Sequence, residues 1–243
     1  MNSQRIALVT GANKGIGLET ARQLAAKGMT VLVGARDAAR GEAAANGLKK
    51  NKLDARFIQL DVTDQASVAA AAAKIGNEFS RLDVLVNNAG IAEEGWESVP
   101  STTKVADLRA TFEVNFFGLV GVTQAMLPLL RKSAAGRIVN LTSILGSVSE
   151  HRDPASPIYG MLSLGYNASK SAVNMFTANL AHELRETKIK VNAAHPGWVK
   201  TDMGGEGAPL NVEQGAWTSV YLATLPETGP SGGFYHQTVH MRW

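Results

Sequence analysis

The chain has 243 residues, of which 45% are hydrophobic, and a formal net charge of +3 without a single cysteine. A chain of this length and apolar content can bury the core of one domain, so we predict a single soluble domain over residues 1–243. The lack of cysteine excludes disulfides, thiol nucleophiles and thiolate metal sites. Because lysine and arginine are scattered along the chain, nucleic-acid binding is disfavoured.

The sequence shows none of the patterns that predict a membrane span, a secretory leader or a metal site. The sequence shows no uninterrupted apolar run of membrane-spanning length, so no membrane association is expected. The N-terminal residues lead directly into a predicted strand with no apolar leader before it, and we therefore expect a cytoplasmic protein. The five histidines show no spacing with carboxylates that is typical of a metal site, so no metal is predicted.

Short apolar runs alternate with longer helical patterns along the chain. The runs predict six strands and a short seventh, at residues 6–9, 31–33, 57–60, 82–86, 138–141, 189–193 and 233–235. The segments between them repeat apolar residues with helical spacing, and the last helix, over residues 212–222, has Asn211 as its candidate N-cap. This alternation predicts an α/β fold with a doubly wound, seven-stranded parallel sheet flanked by helices.

A glycine-rich turn follows the first strand, in Thr10-Gly11-Ala12-Asn13-Lys14-Gly15-Ile16-Gly17. Glycines at this point allow a tight turn and a close approach of the backbone to a pyrophosphate at the start of a helix. Such a turn is also compatible with a purely structural role. Its spacing, three intervening residues and then one, differs from that of the common dinucleotide fingerprint.

Two stretches rich in Gly, Pro and Ser interrupt the alternation, at residues 146–165 and 198–210. Each follows the end of a predicted strand, and ligands bind at the carboxyl edge of open α/β sheets. We therefore interpret the first as an insertion beside a substrate pocket and the second as a substrate lid. Plain surface loops are the alternative.

A tyrosine and a lysine stand one helical turn apart, Tyr166 and Lys170 in Tyr-Asn-Ala-Ser-Lys. Four residues on a helix place both side chains on one face. The ammonium is then expected to lower the pKa of the phenol, which suits a general acid that protonates a carbonyl oxygen. The alternative is an exposed helical contact without chemistry.

These motifs together resemble the short-chain dehydrogenase/reductase family over almost the whole chain. Asn87-Asn88-Ala89-Gly90 after the fourth strand is similar to the structural motif of the family, and Pro196-Gly197 after the sixth strand also fits. The resemblance implies a single-domain Rossmann fold. The segment from His195 to Met203 resembles the NADPH-dependent carbonyl reductases of the family in particular.

The resemblance implies a role for each matching residue. It implies that Tyr166 donates a proton, that Lys170 lowers the pKa of the tyrosine and holds the nicotinamide ribose, and that Ser143 binds the substrate oxygen. Asn115 would extend a proton relay to water. The residues that it places at NADP(H) are Gly11, Asn13, Lys14, Gly15, Ile16, Gly17, Arg36, Asp61, Val62, Asn88, Ala89, Gly90, Tyr166, Lys170, Pro196, Gly197, Val199 and Thr201.

Two cations favour NADP over NAD. Lys14 in the glycine loop and Arg36 after the second strand stand where an adenosine 2′-phosphate would lie. The acidic residue that binds a ribose diol is replaced by Ala35, although Asp37 is close enough to leave the alternative open.

The predicted function is the NADPH-dependent reduction of a ketone, aldehyde or quinone to an alcohol. The candidate substrate pocket contains Trp96, Ser143, Trp198 and Met203, and the apolar members of that set could instead belong to the core. The alternatives are an alcohol or sugar dehydrogenase of the same fold and a non-catalytic NADPH-binding redox sensor. A homo-oligomer, dimer or tetramer, is expected, with a monomer as the alternative.

Overall fold

One sheet organises the part of the chain that the computed structural model describes, residues 4–96 and 98–243. Its strands lie in the order β3-β2-β1-β4-β5-β6-β7-β8. The first seven are parallel, and β8 is antiparallel to β7. The strands are β1 (Ile6–Thr10), β2 (Thr30–Ala35), β3 (Ala55–Gln59), β4 (Val84–Asn87), β5 (Arg137–Leu141), β6 (Lys190–His195), β7 (Phe234–His236) and β8 (Val239–His240).

The prediction of a doubly wound α/β fold is confirmed, and all seven predicted strands are present. The count needs one correction, because β8 adds an eighth strand to the described sheet. It is only two residues long and pairs with β7 in a tight hairpin, in which Gln237 has a φ of 54°. A strand of two exposed residues has no alternation of apolar side chains, so its sequence carries no strand signal.

Helices cover both faces of the sheet. They are α1 (Gly15–Ala26), α2 (Ala38–Lys50), α3 (Gln65–Phe79), α4 (Val105–Phe112), α5 (Leu119–Leu130), α6 (Val148–His151), α7 (Leu164–Glu183) and α8 (Val212–Ala223). A π-helical segment, Glu113–Gly118, joins α4 to α5, and a 3₁₀ turn, Ile144–Gly146, follows β5. Asn211 caps α8 as predicted, and Gln214 completes a capping box.

The core has two layers because successive strand residues point to opposite faces. Ala7 and Val9 of β1 pack with residues of α1, α2 and α8, whereas Ile6 and Leu8 pack with residues of α3, α5 and α7. Strands buried on both faces need uninterrupted apolar runs, which is why the sequence shows runs instead of alternation. The neighbours of β1 are β2 on one side and β4 on the other, which makes the carboxyl end of β1 the crevice of the sheet.

Helices α4 and α5 and the π-helical segment between them form one continuous helix, Val105–Leu130, of 26 residues. By length and composition alone this helix could cross a membrane. Polar residues interrupt its apolar ones, so the sequence showed no uninterrupted apolar run here. In the fold its residues Val122, Met126 and Leu130 are buried in the core on the sheet. The helix therefore serves as a core helix here.

Candidate active site

The glycine loop connects β1 to α1 at the crevice. Gly11 and Gly15 have φ values of 62° and 56°, which favour glycine. A Cβ at Gly17 would collide with Nδ2 of Asn88 and lie 2.6 Å from the carbonyl oxygen of Gly11. A Cβ at Gly11 would lie 3.0 Å from Cα of Ala89. These glycines therefore also let the loop pack on the segment after β4, a role beyond the predicted approach to a pyrophosphate.

Thr10 and Asn88 lock the two loops together. The Thr10 hydroxyl accepts hydrogen bonds from the backbone N–H groups of Asn88, at 2.9 Å, and Ala89, at 3.0 Å. The Asn88 amide donates to the carbonyl oxygens of Thr10, at 2.8 Å, and Gly11, at 3.2 Å. Sequence reasoning did not assign Thr10 to the site. Its only signal is a hydroxyl at the last position of a buried strand.

The N-terminus of α1 is suited to an anion. Lys14 occupies the N-cap position in extended conformation without a side-chain cap, and the first turn has no acidic residue. The backbone N–H groups there are thus available to a phosphate. Lys14 itself is paired with Asp202, at 2.5 Å between Nζ and Oδ2, and both side chains are exposed. Thr201 lies next to Gly15, so the 198–210 segment borders the glycine loop.

At the end of β2 the described residues offer no unpaired carboxylate. Ala35 is buried and Arg36 is exposed. The Asp37 carboxylate caps α2 by accepting a hydrogen bond from the Arg40 backbone N–H at 2.9 Å and also pairs with the Arg40 guanidinium at 3.8 Å. This engagement weakens the alternative in which Asp37 binds a ribose diol.

The residues that follow β3 make different contacts. Asp61 accepts hydrogen bonds from the backbone and hydroxyl of Thr63, and Asp64 is the N-cap of α3. Val62 packs against Gly118 of the π-helical segment. A Cβ at Gly118 would lie 2.9 Å from Cγ2 of Val62.

Several predicted cofactor residues have side chains that serve the core. Ile16 packs against the cluster beneath α1 and α8. Val199 is buried, and its side chain occupies the space that a Cβ at Gly215 of α8 would need. Gly197 has a φ of 85°, and a Cβ there would collide with Leu210. Gly197 has no side chain and that of Val199 is buried, so these two residues can reach a cofactor only through their backbone.

Tyr166, Lys170 and Ser143 come together at the carboxyl edge, and all three are buried. The Lys170 ammonium lies 5.5 Å from the centroid of the Tyr166 ring and donates to the carbonyl oxygen of Leu141 at 2.9 Å. Gly90 lies against this ammonium, where a Cβ would be 3.5 Å from Nζ. The predicted pairing on one helical face is thus present in α7.

The expected lowering of the phenol pKa is absent in the protein alone. Burial raises the pKa of Tyr166 to about 12, against a smaller lowering by its hydrogen bond with Ser143. Burial also lowers the pKa of Lys170 to about 8. The expectation rested on the neighbouring charge of Lys170, which lowers a phenol pKa. Desolvation raises that pKa and has the larger effect in this buried site. Tyr166 therefore retains its proton at neutral pH.

Asn115 is fully buried within the π-helical segment. Its Oδ1 accepts from the Ile91 backbone N–H at 2.8 Å, and its Nδ2 donates to the Ile91 carbonyl oxygen at 2.9 Å and to the Ser169 hydroxyl at 3.0 Å. The amide thus joins the segment after β4 to α7. These bonds occupy the side chain, so a relay to water through it stays a prediction.

The predicted pocket residues divide into two groups. The Trp96 ring stands edge-on to the Tyr166 ring at 5.1 Å, and its indole N–H donates to the Met203 carbonyl oxygen at 3.2 Å. Met203 also packs against an apolar cluster of Leu145, Ile158 and Tyr166. Trp198, by contrast, is 60% exposed and donates within its own loop, to Gly204. The described contacts keep Trp198 within its own loop, and none of them is to Tyr166.

Comparison with known proteins finds similar sequences and structures. A model of the family described as short chain dehydrogenase matches residues 5–209. Carbonyl reductase [NADPH] 1 of Sus scrofa is 36% identical, over 100% of this chain and 95% of its own length.

Two solved structures are also similar. NADPH-bound carbonyl reductase from chicken fatty liver has a TM-score of 0.86 and 32% identity, covering 99% of each chain. Salutaridine reductase from Papaver somniferum has a TM-score of 0.84 and 30% identity, covering 96% of this chain and 99% of the other. With the family model matching most of its length and a relative 36% identical over all of it, the chain belongs to the short-chain dehydrogenase/reductase family.

Proposed function

We propose that this protein reduces a small-molecule carbonyl, a ketone, aldehyde or quinone, to an alcohol with NADPH. The observation that carries the proposal is the buried group of Tyr166, Ser143 and Lys170 beside the glycine loop. A sensor of redox state needs the loop but has no use for an acid at the reacting end. The carbonyl reductase [NADPH] relatives support the same reaction and cofactor.

Tyr166 is the proton donor in this proposal. A tyrosine is protonated at neutral pH, and burial raises the pKa of Tyr166 further, so the phenol is available as a proton donor. Bound NADPH supplies the hydride. Ser143 orients the substrate oxygen toward the phenol. Lys170, whose pKa of about 8 leaves it mostly charged at neutral pH, stabilises the negative charge that develops on the phenol oxygen.

Lys14 and Arg36 select NADPH over NADH. Both side chains are exposed cations beside the crevice, and Ala35 offers no carboxylate that would repel a 2′-phosphate. The predicted cofactor contacts at residues 11, 13–17, 61, 62, 88–90, 196, 197, 199 and 201 belong to the same proposal. It is supported by the free N–H groups at the start of α1 and by the close packing of these segments.

The substrates are apolar or aromatic. Apolar surface surrounds Tyr166, which favours flat or aliphatic groups next to the carbonyl. It is formed by Trp96, Met203, Leu145 and Ile158.

We further propose a cytoplasmic homo-oligomer, with a monomer as the alternative. Size-exclusion chromatography with light scattering measures the assembly.

The direct test mixes the pure protein with NADPH or NADH and a panel of aromatic aldehydes, diketones and quinones, and follows nicotinamide absorbance. We expect turnover with NADPH and slower turnover with NADH. Tyr166→Phe should lose turnover and keep its NADPH dissociation constant, measured by fluorescence titration. Unchanged turnover in that variant would refute the assignment of the acid. Equal rates with the two cofactors would refute the roles of Lys14 and Arg36.

A further inference from the structure

Glu94 has a half-buried carboxylate that the reaction described above does not use. Its Oε1 accepts hydrogen bonds from the Tyr166 backbone N–H, at 2.5 Å, and from the Ser163 hydroxyl, at 3.0 Å. Its Oε2 accepts from the Thr111 hydroxyl at 3.0 Å. A Cβ at Gly165 would lie 2.8 Å from Oε2, so the helix backbone approaches the carboxylate closely at that point.

This carboxylate replaces the missing cap of the catalytic helix. The residue before α7, Ser163, makes no side-chain cap bond to the helix and instead donates its hydroxyl to Glu94 and to the carbonyl oxygen of Gly95. The first turn of α7 has no acidic residue. Glu94 therefore supplies both an acceptor and a negative charge to the N-terminus of the helix that carries Tyr166.

The same segment also holds the ring of Tyr166. Trp96 follows Glu94 by two residues, contacts the Tyr166 ring edge-on at 5.1 Å and is tied to the Met203 carbonyl oxygen. A single short segment therefore contacts both the backbone N–H and the ring of the tyrosine. Displacement of Glu94 would shift both contacts at once.

We propose that Glu94 is a positioning residue that sets the place of the Tyr166 hydroxyl in the pocket. The proposal about catalysis rests on the proposed function, since it assigns Tyr166 as the acid. Because the side-chain contacts of Glu94 are to Tyr166, Ser163 and Thr111 and not to the glycine loop, its loss should change the chemical step and spare the binding of NADPH. Misplacement of a catalytic group by about 1 Å can cost about 100-fold in rate.

The test compares three variants, Glu94→Ala, Glu94→Gln and Glu93→Ala. Glu93 is the matched control, because it is adjacent and exposed and its removal changes the net charge equally. For Glu94→Ala we expect kcat to fall by about 10- to 100-fold, with the NADPH dissociation constant unchanged. Glu94→Gln keeps an acceptor for the Tyr166 N–H, so its kcat should stay within about fivefold of the wild type. Glu93→Ala should match the wild type.

A measurement without turnover separates this proposal from the proposed function. Hydrogen exchange at the Tyr166 amide should be faster in Glu94→Ala than in Glu93→Ala or the wild type, because its acceptor is gone. If the wild type reduces no carbonyl, the proposed function fails, and exchange alone decides whether Glu94 holds Tyr166. Equal exchange in all variants, or a wild-type kcat in Glu94→Ala, would overturn the positioning role.

Discussion

Gly17→Ala offers a sharp test of how the cofactor loop is built. The added methyl group would occupy the place of the Asn88 amide, which donates to the carbonyl oxygens of Thr10 and Gly11. Loss of these two bonds costs about 1 to 3 kcal/mol in the free energy of unfolding. Overpacking against the Gly11 carbonyl oxygen, 2.6 Å from the new atom, adds about 1 to 3 kcal/mol. We therefore expect a total loss of about 2 to 6 kcal/mol.

The assay is thermal unfolding followed by circular dichroism, together with fluorescence titration of NADPH. For a chain of this size each kcal/mol shifts Tm by about 2 to 4 °C, so Gly17→Ala should unfold about 4 to 24 °C earlier. The NADPH dissociation constant should rise by at least about tenfold, or about 1.4 kcal/mol, because the loop backbone moves. Unfolding in guanidinium chloride gives a second measure of the same loss.

Gly47→Ala in α2 is the control. It makes the same chemical change inside a helix, but nothing lies within 4 Å of the new methyl group. The better helix propensity of alanine should stabilise that variant by up to about 1 kcal/mol. If Gly17→Ala matched Gly47→Ala in Tm and in NADPH affinity, the close packing of the glycine loop on Asn88 would be refuted.

Three more predictions concern single side chains. Burial raises the pKa of Tyr166 to about 12. A difference titration of wild type against Tyr166→Phe, followed by ultraviolet absorbance, should therefore show no phenolate from Tyr166 below about pH 11. A transition near neutral pH would contradict this expectation. Asp202→Asn frees Lys14 and should tighten NADPH but not NADH in fluorescence titrations; an unchanged ratio of the two dissociation constants would count against the pairing. Arg137→Met removes a buried guanidinium that donates to the Leu225 carbonyl oxygen at 2.8 Å. The free energy of unfolding in guanidinium chloride should fall by about 2 to 5 kcal/mol. A loss below about 1 kcal/mol would refute this structural role of Arg137.

The sequence predicted the elements of this fold because their signals are local. Strands buried on both faces must be uniformly apolar, so the runs at residues 6–9 and 138–141 stand out in the chain. A pair four residues apart on a helix shares a face whatever surrounds it, so Tyr166 and Lys170 could be paired by spacing alone. The glycine loop was equally visible, since a strand, a turn and a helix follow one another directly.

Only the tertiary structure decided what these groups contact and how they ionise. Glu94 is 72 residues from Tyr166 and Asp202 is 188 residues from Lys14, and no periodicity links partners so distant. The pKa of Tyr166 depends on burial by other segments, which a neighbouring lysine in the sequence does not reveal. Chain position determines which residues share an element, whereas packing between elements determines the solvent, charge and hydrogen-bond partners of each side chain.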